Sequence, residues 1–250
     1  MEIFGRRIPM FASLAVWCVV WEFVGRADLV FLIPPITDIA AAGYSMVQTG
    51  TWQSATVETV RAFAIGMAIS VAAGVPLGIL MGRFRDVDDL LGLWVNMLAS
   101  APLTALVPVL MIFFGIGETT VIATVFLFAV WIIVLDTRAG ILGVPRSLEE
   151  MAVSYGASHA ALYSKVLLSA ALPEILAGIR LGIVRGVKGV VVGQILVAIV
   201  GYGALFEIFS RAFDMAHFWA LAFILFAAAL SVASVIESLE RRVEYYASVR

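Results

Sequence analysis

Arg185 and Lys188 stand three residues apart in an otherwise apolar run, with Gln194 following them. That spacing puts the two cations near one another on one side of a helix. The chemistry on offer is the attraction of a small anion. A charge in the middle of a membrane span costs at least about 2.5 kcal/mol on insertion scales, so the pair should face the bundle interior or water and not lipid. Two like charges also need anions close by. The spans offer Glu22, near the outer end of the first, and Asp136, near the inner end of the fourth. A structural reading competes: helix-end carbonyls or those acids meet the pair, or the span begins later and Arg185 reaches the inner surface by its long stem.

Bond-breaking chemistry finds no comparable set. His159 and His217 are the two histidines, far apart and on opposite sides by the topology argued below, so a metal site is not expected. The single Cys18 excludes a disulfide within the chain and any cysteine-based metal cluster. No GxxxxGK phosphate loop occurs, so this chain holds no ATP by that device, and energy must come from a partner or a gradient. A hydrolase inside the membrane would need a Ser/His pair, paired acids or a His-rich motif at one depth, and none can be assembled. A net charge of −2 makes no case for nucleic acid.

The elements that must carry the basic pair are membrane helices. The 250 residues are 62% hydrophobic and 14% charged, with a mean hydropathy of +1.05; soluble domains are nearer one half apolar and about one quarter charged. Runs of about 20 apolar residues, enough to cross about 30 Å of hydrocarbon, give about six spans, at 8–25, 59–82, 89–114, 120–137, 174–200 and 217–237. Arg6 and Arg7 ahead of the first run imitate a signal peptide, but no small-residue cleavage pattern follows, so an uncleaved first span is expected. With the N-terminus inside, the cytoplasmic flanks hold Arg6, Arg7, Arg83, Arg85, Arg138, Arg146, Lys165, Arg241, Arg242 and Arg250, ten of the sixteen Lys and Arg residues. The outer flanks hold Arg26, Arg61 and Arg211, and Arg180, Arg185 and Lys188 fall within the fifth span. This positive-inside bias puts both termini and residues 138–173 in the cytoplasm.

Within the spans, Gly74, Gly78 and Gly82 recur every four residues and predict a close helix contact. Pro76 interrupts that span, and Pro102 and Pro108 interrupt the next, which closes on Gly115, Ile116 and Gly117. Asp136 beside Arg138 reads as a pair of interfacial charges. Pro34 and Pro35 precede an outer interfacial helix carrying Ile36, Ile39, Gly43 and Met46. Gly201, Tyr202 and Gly203 open an outer segment with Phe206, Phe209, Phe213 and Phe218, which suits an aromatic belt. Ala227, Ala228 and Ala229 suit close packing in the sixth span, and Glu237, Glu240, Arg241 and Arg242 close the chain inside.

One long amphipathic segment stands apart, from Ser147 to Pro173. Ser147 and Glu150 have capping-box spacing, which predicts a helix from Leu148. Leu148, Met151, Ala152 and Tyr155 fall at i, i+3, i+4 and i+7 and gather on one face. Gly156 ends the helix by taking left-handed geometry. Ser158 caps a second helix carrying Leu162, Val166 and Leu167 to a break at Pro173. About two turns are too short to be stable alone in water, so the stripe must be held by something. A helix lying on the membrane surface is one reading, and a knob presented to a soluble partner is the other.

Glu150, Met151, Ala152, then Gly156, then the hydrophobic stretch closing on Leu172 and Pro173 resemble the EAA loop of permease subunits of binding-protein-dependent ABC importers. Gly74–Arg85, Pro102–Glu118 and Leu172–Ile183 resemble the branch importing nitrate, taurine, aliphatic sulfonates and related small molecules. Met151 stands where the family commonly has the first Ala of the triplet, and Ser169 where these loops often have Pro. The resemblance runs from about Ile33 to Arg242 and implies an all-α, polytopic membrane helix bundle of the type I ABC importer class. One permease domain would cover 1–250, with its core at 58–237 and a cytoplasmic coupling loop at 147–173. The resemblance further implies that Leu148, Glu149, Glu150, Met151, Ala152, Tyr155 and Gly156 contact the ATPase. It implies a translocation path, in which the polar residues of the fifth span, Arg185, Lys188 and Gln194, are expected to stand. The implied partners are a cytoplasmic ABC ATPase dimer, a second copy of the chain, a periplasmic or lipid-anchored substrate-binding protein, which the outer aromatics could contact, and membrane lipid. ATP would be hydrolysed by the partners, with no cofactor in this chain, no enzyme activity of its own, and a multi-pass location in a bacterial inner membrane. A self-sufficient channel or gradient-driven carrier remains the alternative; carriers often show a duplicated half, and none is evident here.

Overall fold

A computed structural model describes the backbone of residues 2–3, 6–7, 10–28, 30–197 and 199–248, and side chains from 13 to 234 apart from 29, 159, 198, 229 and 233. Arg250, together with the side chains of Arg6, Arg7, His159, Ala229, Glu237, Glu240, Arg241 and Arg242, falls outside that description.

The centre of the bundle is α6 (Glu118–Leu142), where Val121, Val125, Ala129, Ile133 and Val134 have no exposed surface. A helix apolar all round is one that neighbours cover. Here the neighbours are α3 (Gly50–Arg83) and α9 (Leu168–Val197), and both approach through glycine. On α3, a Cβ at Gly74, Gly78 or Gly82 would sit 2.9, 2.6 or 2.7 Å from Ile133, Thr137 or Ile141. The predicted seam is therefore present, and Gly66 against Val125 lengthens it. On α9, Gly178, Gly182, Gly189 and Gly193 meet Asp136, Ile133, Phe128 and Thr124 in the same way. Two glycine-lined faces thus clasp one central helix, which is how membrane helices gain contact without a hydrophobic driving force.

The third run departs from its expectation as a single span. It forms α4 (Arg85–Ser100), a 3₁₀ turn (Leu103–Leu106) and α5 (Val107–Phe114), and the axis turns by 96° between them. Ala101, held extended at ψ 150° by the following Pro102, ends α4. Among the described residues, four helices are long and apolar enough to cross a membrane, or five if the bent pair makes one crossing. The expected sixth is α1 (Met10–Arg26), whose 17 residues span about 26 Å. Pro76 and Pro173 both lie inside continuous helices, so the break expected at Pro173 is absent.

The end expected to lie outside is closed by α2 (Ile36–Val47), α10 (Gly201–Arg211) and the start of α11 (Met215–Ser248). Ile39, Ala42 and Met46 of α2 pack with Tyr202, Leu205 and Leu221. Trp21 meets Trp219 edge-on at 5.1 Å, and Phe206 meets Phe218 at 5.0 Å. Most of the outer aromatics therefore pack on one another, while Phe213 stays exposed. Glu22 is engaged at this end, accepting from Arg26 and from the Thr37 hydroxyl, so it is no counter-charge for Arg185.

Candidate coupling surface and translocation path

The inner loop forms α7 (Arg146–Ser154), two residues earlier than the capping box predicts. Pro145 is the N-cap, at φ −61°, and its carbonyl accepts from Leu148 N at 3.0 Å. No side chain caps the helix, so Ser147 and Glu150 do not form the expected box. Proline fixes the backbone dihedral that starts a turn, which leaves the hydroxyl nothing to add. The other end is as predicted. Gly156 sits at φ +77°, Gly156 N bonds to Val153 O at 2.9 Å, and Ala157 N bonds to Ala152 O at 3.0 Å. That pair of bonds is a Schellman closure. Ser158 Oγ then accepts from Ala161 N at 3.3 Å, capping α8 (His159–Ala161) as expected.

The predicted stripe divides. Ala152 is buried, and Leu148 packs with it against Ile141, Leu162 and Leu167. Met151 is 51% exposed and Tyr155 88%, and at i,i+4 spacing they form an apolar knob beside the exposed Glu150. The inner pair anchors the helix to the bundle and the outer residues face away from it. Beyond α8 the chain runs without a break through a π turn (Leu162–Leu167) into α9. A short helix fixed at both ends and joined to a long one is a lever.

On α9, Arg185 is half-buried two turns beyond Gly178, whose Cα lies against Asp136. The charged neighbours of Asp136 are Glu174 and Arg185. Asp136 thus lies within electrostatic reach of Arg185, and among the described residues neither Arg185 nor Lys188 forms an ion pair with it. Arg138, read with Asp136 as an interfacial charge, holds Asp88 of α4 through both carboxylate oxygens. Lys188 is exposed, on the side that also carries Glu174, Leu181 and Ile195 at seven-residue spacing. Gln194 is 2% exposed and turns the other way, exchanging hydrogen bonds with Thr59 at 3.0–3.1 Å. Arg185 and Lys188 therefore share a zone, and Gln194 belongs to a separate outer network.

That outer network was not legible in the sequence. Glu58 accepts from Gly201 N at 2.8 Å, Thr59 accepts from Tyr202 N at 3.3 Å, and Tyr202 meets Thr56 at 2.9 Å. Gly201, at φ +56°, and Gly203 lie so close to Gln194 that no Cβ fits at either. Burial pushes the Tyr202 phenol up, with the Thr56 hydrogen bond pulling it back, so the hydroxyl stays protonated. Arg61 forms a two-pronged ion pair with Glu118, beside a cavity of 110 Å³ bordered by Glu58 and Gln194. The start of α10 is thereby tied to α3 and α9.

A family model described as "Binding-protein-dependent transport system inner membrane component" matches residues 74–245. The chain belongs to that family. It is a membrane-spanning permease subunit of an ATP-binding-cassette importer. An ABC transporter permease protein of Methanocaldococcus jannaschii is 35% identical over 134 residues, 54% of this chain and half of that protein's length. The taurine transport system permease protein TauC of Escherichia coli K12 is 30% identical over 78% of this permease and 74% of its own length. The SsuC permease protein of the same organism, named for aliphatic sulfonates transport, is 30% identical over 95% of this chain and 90% of its own. Among solved structures, inward-facing forms of the MetNI methionine ABC transporter align with a TM-score of 0.63 at 19% identity, over 74% of this chain and 93% of the other. At that identity the likeness concerns the fold, which is that of type I importer permeases.

Proposed function

We propose that two copies of this permease enclose a path for a small sulfonate-type anion, driven through the 147–173 loop by a cytoplasmic ATPase dimer. Lys188 carries this reading. It lies nine residues, about 13 Å, below the outer end of α9, and Arg185 about 18 Å below it, near the middle of about 30 Å of hydrocarbon. A cation at that depth on an uncovered helix side cannot face lipid cheaply. The Glu174, Leu181, Lys188 and Ile195 side therefore faces a second copy across water. The names of the taurine and sulfonate relatives supply the substrate class.

In this reading Met151, Tyr155 and Glu150 seat in the ATPase, Leu148 and Ala152 hold α7 to the bundle, and Gly156 fixes its end. A periplasmic or lipid-anchored binding protein delivers substrate to the outer end formed by α2 and α10. Both termini lie in the cytoplasm of a bacterial cell, and the chain performs no catalysis itself; the permease domain takes in the whole chain. The test is uptake of labelled taurine by vesicles holding the permease with its ATPase and binding protein. The double variant R185Q/K188Q should lose about tenfold in uptake, about 1.4 kcal/mol, while basal ATP hydrolysis is retained. Unchanged uptake in an assembled double variant, or equal uptake of choline by the wild type, would overturn the anion path.

A further inference from the structure

A cleft of 270 Å³ opens beside the π turn at the inner end of the bundle, between α3, α6 and α9. Its walls are Ile79, Ile141, Leu167 and Leu168, and its polar end is Arg83 with Tyr163 and Ser164. Arg83 Nε donates to the Tyr163 hydroxyl at 2.7 Å, and the guanidinium carbon stands 5.3 Å from the centre of the same ring. The contact fixes the guanidinium at the mouth. Among the described residues no carboxylate lies within ion-pair distance of Arg83; the nearest acid acting on it is Glu149 of α7. Lys165, two residues beyond Tyr163, is exposed and forms no ion pair among the described residues.

We propose that this cleft is a binding site for an anionic phospholipid of the inner leaflet, the phosphate meeting Arg83 and Tyr163 and part of one acyl chain lying along Ile79, Leu167 and Leu168. Three observations favour a lipid over a soluble anion. The cleft lies at the last residue of α3, where the helix leaves the hydrocarbon, with Arg83 at its mouth and Lys165 two residues beyond Tyr163. Basic pockets between helices at that level are suited to acidic headgroups. The walls are apolar and open to one side, which matches a chain continuing into the bilayer. The volume is also below the about 300 Å³ at which pockets begin to enclose whole small ligands. The π turn makes the site: a turn with one extra residue shifts Tyr163 and Ser164 relative to the regular helix that follows. The occupant would rest against the hinge between α7 and α9.

The experiment is native mass spectrometry of the full chain in detergent, titrated with phosphatidylglycerol and with phosphatidylcholine. Variants R83Q and S164W are compared with the wild type, and inorganic phosphate serves as competitor. Wild type should bind one phosphatidylglycerol at least tenfold more tightly than phosphatidylcholine. R83Q should abolish that preference, S164W should block both lipids with Arg83 intact, and R83K should restore part of the preference. Millimolar phosphate should leave the lipid in place. Equal binding of the two lipids by wild type, undiminished binding by S164W, or displacement by phosphate alone would overturn the proposal.

Discussion

Gly156 holds a backbone at φ +77° with nothing within 4 Å of where a Cβ would stand. The penalty for any other residue is therefore conformational and not steric, about 1–2 kcal/mol. Gly156→Ala and Gly156→Asp should both loosen the end of α7 and lower ATP-driven uptake by several-fold, with the thermal midpoint of the bundle unchanged. Thermal melting and vesicle uptake measured side by side check this. Glu150 behaves differently, because its side chain caps nothing. Glu150→Ala should leave melting unchanged and still weaken retention of the ATPase on an affinity column, since the loss is of contact and not of helix. At this scale the sequence is readable where chemistry is local. A glycine after an amphipathic turn and a serine before the next helix both act as their types suggest. The Ser147 box misleads because Pro145 offers a competing start two residues upstream. The partner of Arg138 is invisible because Asp88 lies fifty residues away, and the nearby Asp136 faces another helix.

Helices α3 and α9 lean on α6 through glycines, so the fold depends on what is missing from them. Gly78→Val would drive methyl groups into Thr137 and the Val134 carbonyl, at 2.6–2.7 Å for the Cβ alone. Overpacking of this kind costs about 1–3 kcal/mol. The variant should melt well below the wild type in detergent. Gly92→Ala on α4 is the control: its nearest neighbour is Asp88 Oδ1 at 3.6 Å. That substitution should leave melting unchanged or raise it, because alanine favours helix over glycine by about 1 kcal/mol. Element positions came through well in the apolar runs, since a span must be long and unbroken to satisfy its own backbone. The 96° turn before Pro102 did not, because proline marks a weak point without setting an angle. Packing sets it here: Val95 of α4 is buried against Met81, Val130 and Val134. Pro173 failed the opposite way, lying inside a continuous helix. The α9 glycines Gly178, Gly182, Gly189 and Gly193, at intervals of four, seven and four, were not read as a seam because their shared face emerges only once α6 lies against it.

At the scale of the whole molecule, an uncovered α9 side carrying Lys188 should meet its copy across the path. Leu181, exposed on that side, lies two turns from Lys188. In a Cys18→Ser background, Leu181→Cys should form a disulfide-linked dimer under mild oxidation in native membranes. A chain that stays monomeric on a non-reducing gel would place this side elsewhere. In the proposed function the ATPase is received by the outward knob of α7, a short helix anchored by Leu148 and Ala152. The most direct measurement is co-purification of the ATPase subunit with wild-type permease and with the double variant Met151→Asp, Tyr155→Asp. Both residues are exposed, so the bundle should fold and melt as before. The account predicts that the wild type retains the ATPase and the double variant loses it, together with ATP-driven uptake. Full retention of the ATPase by a normally folded double variant would contradict it.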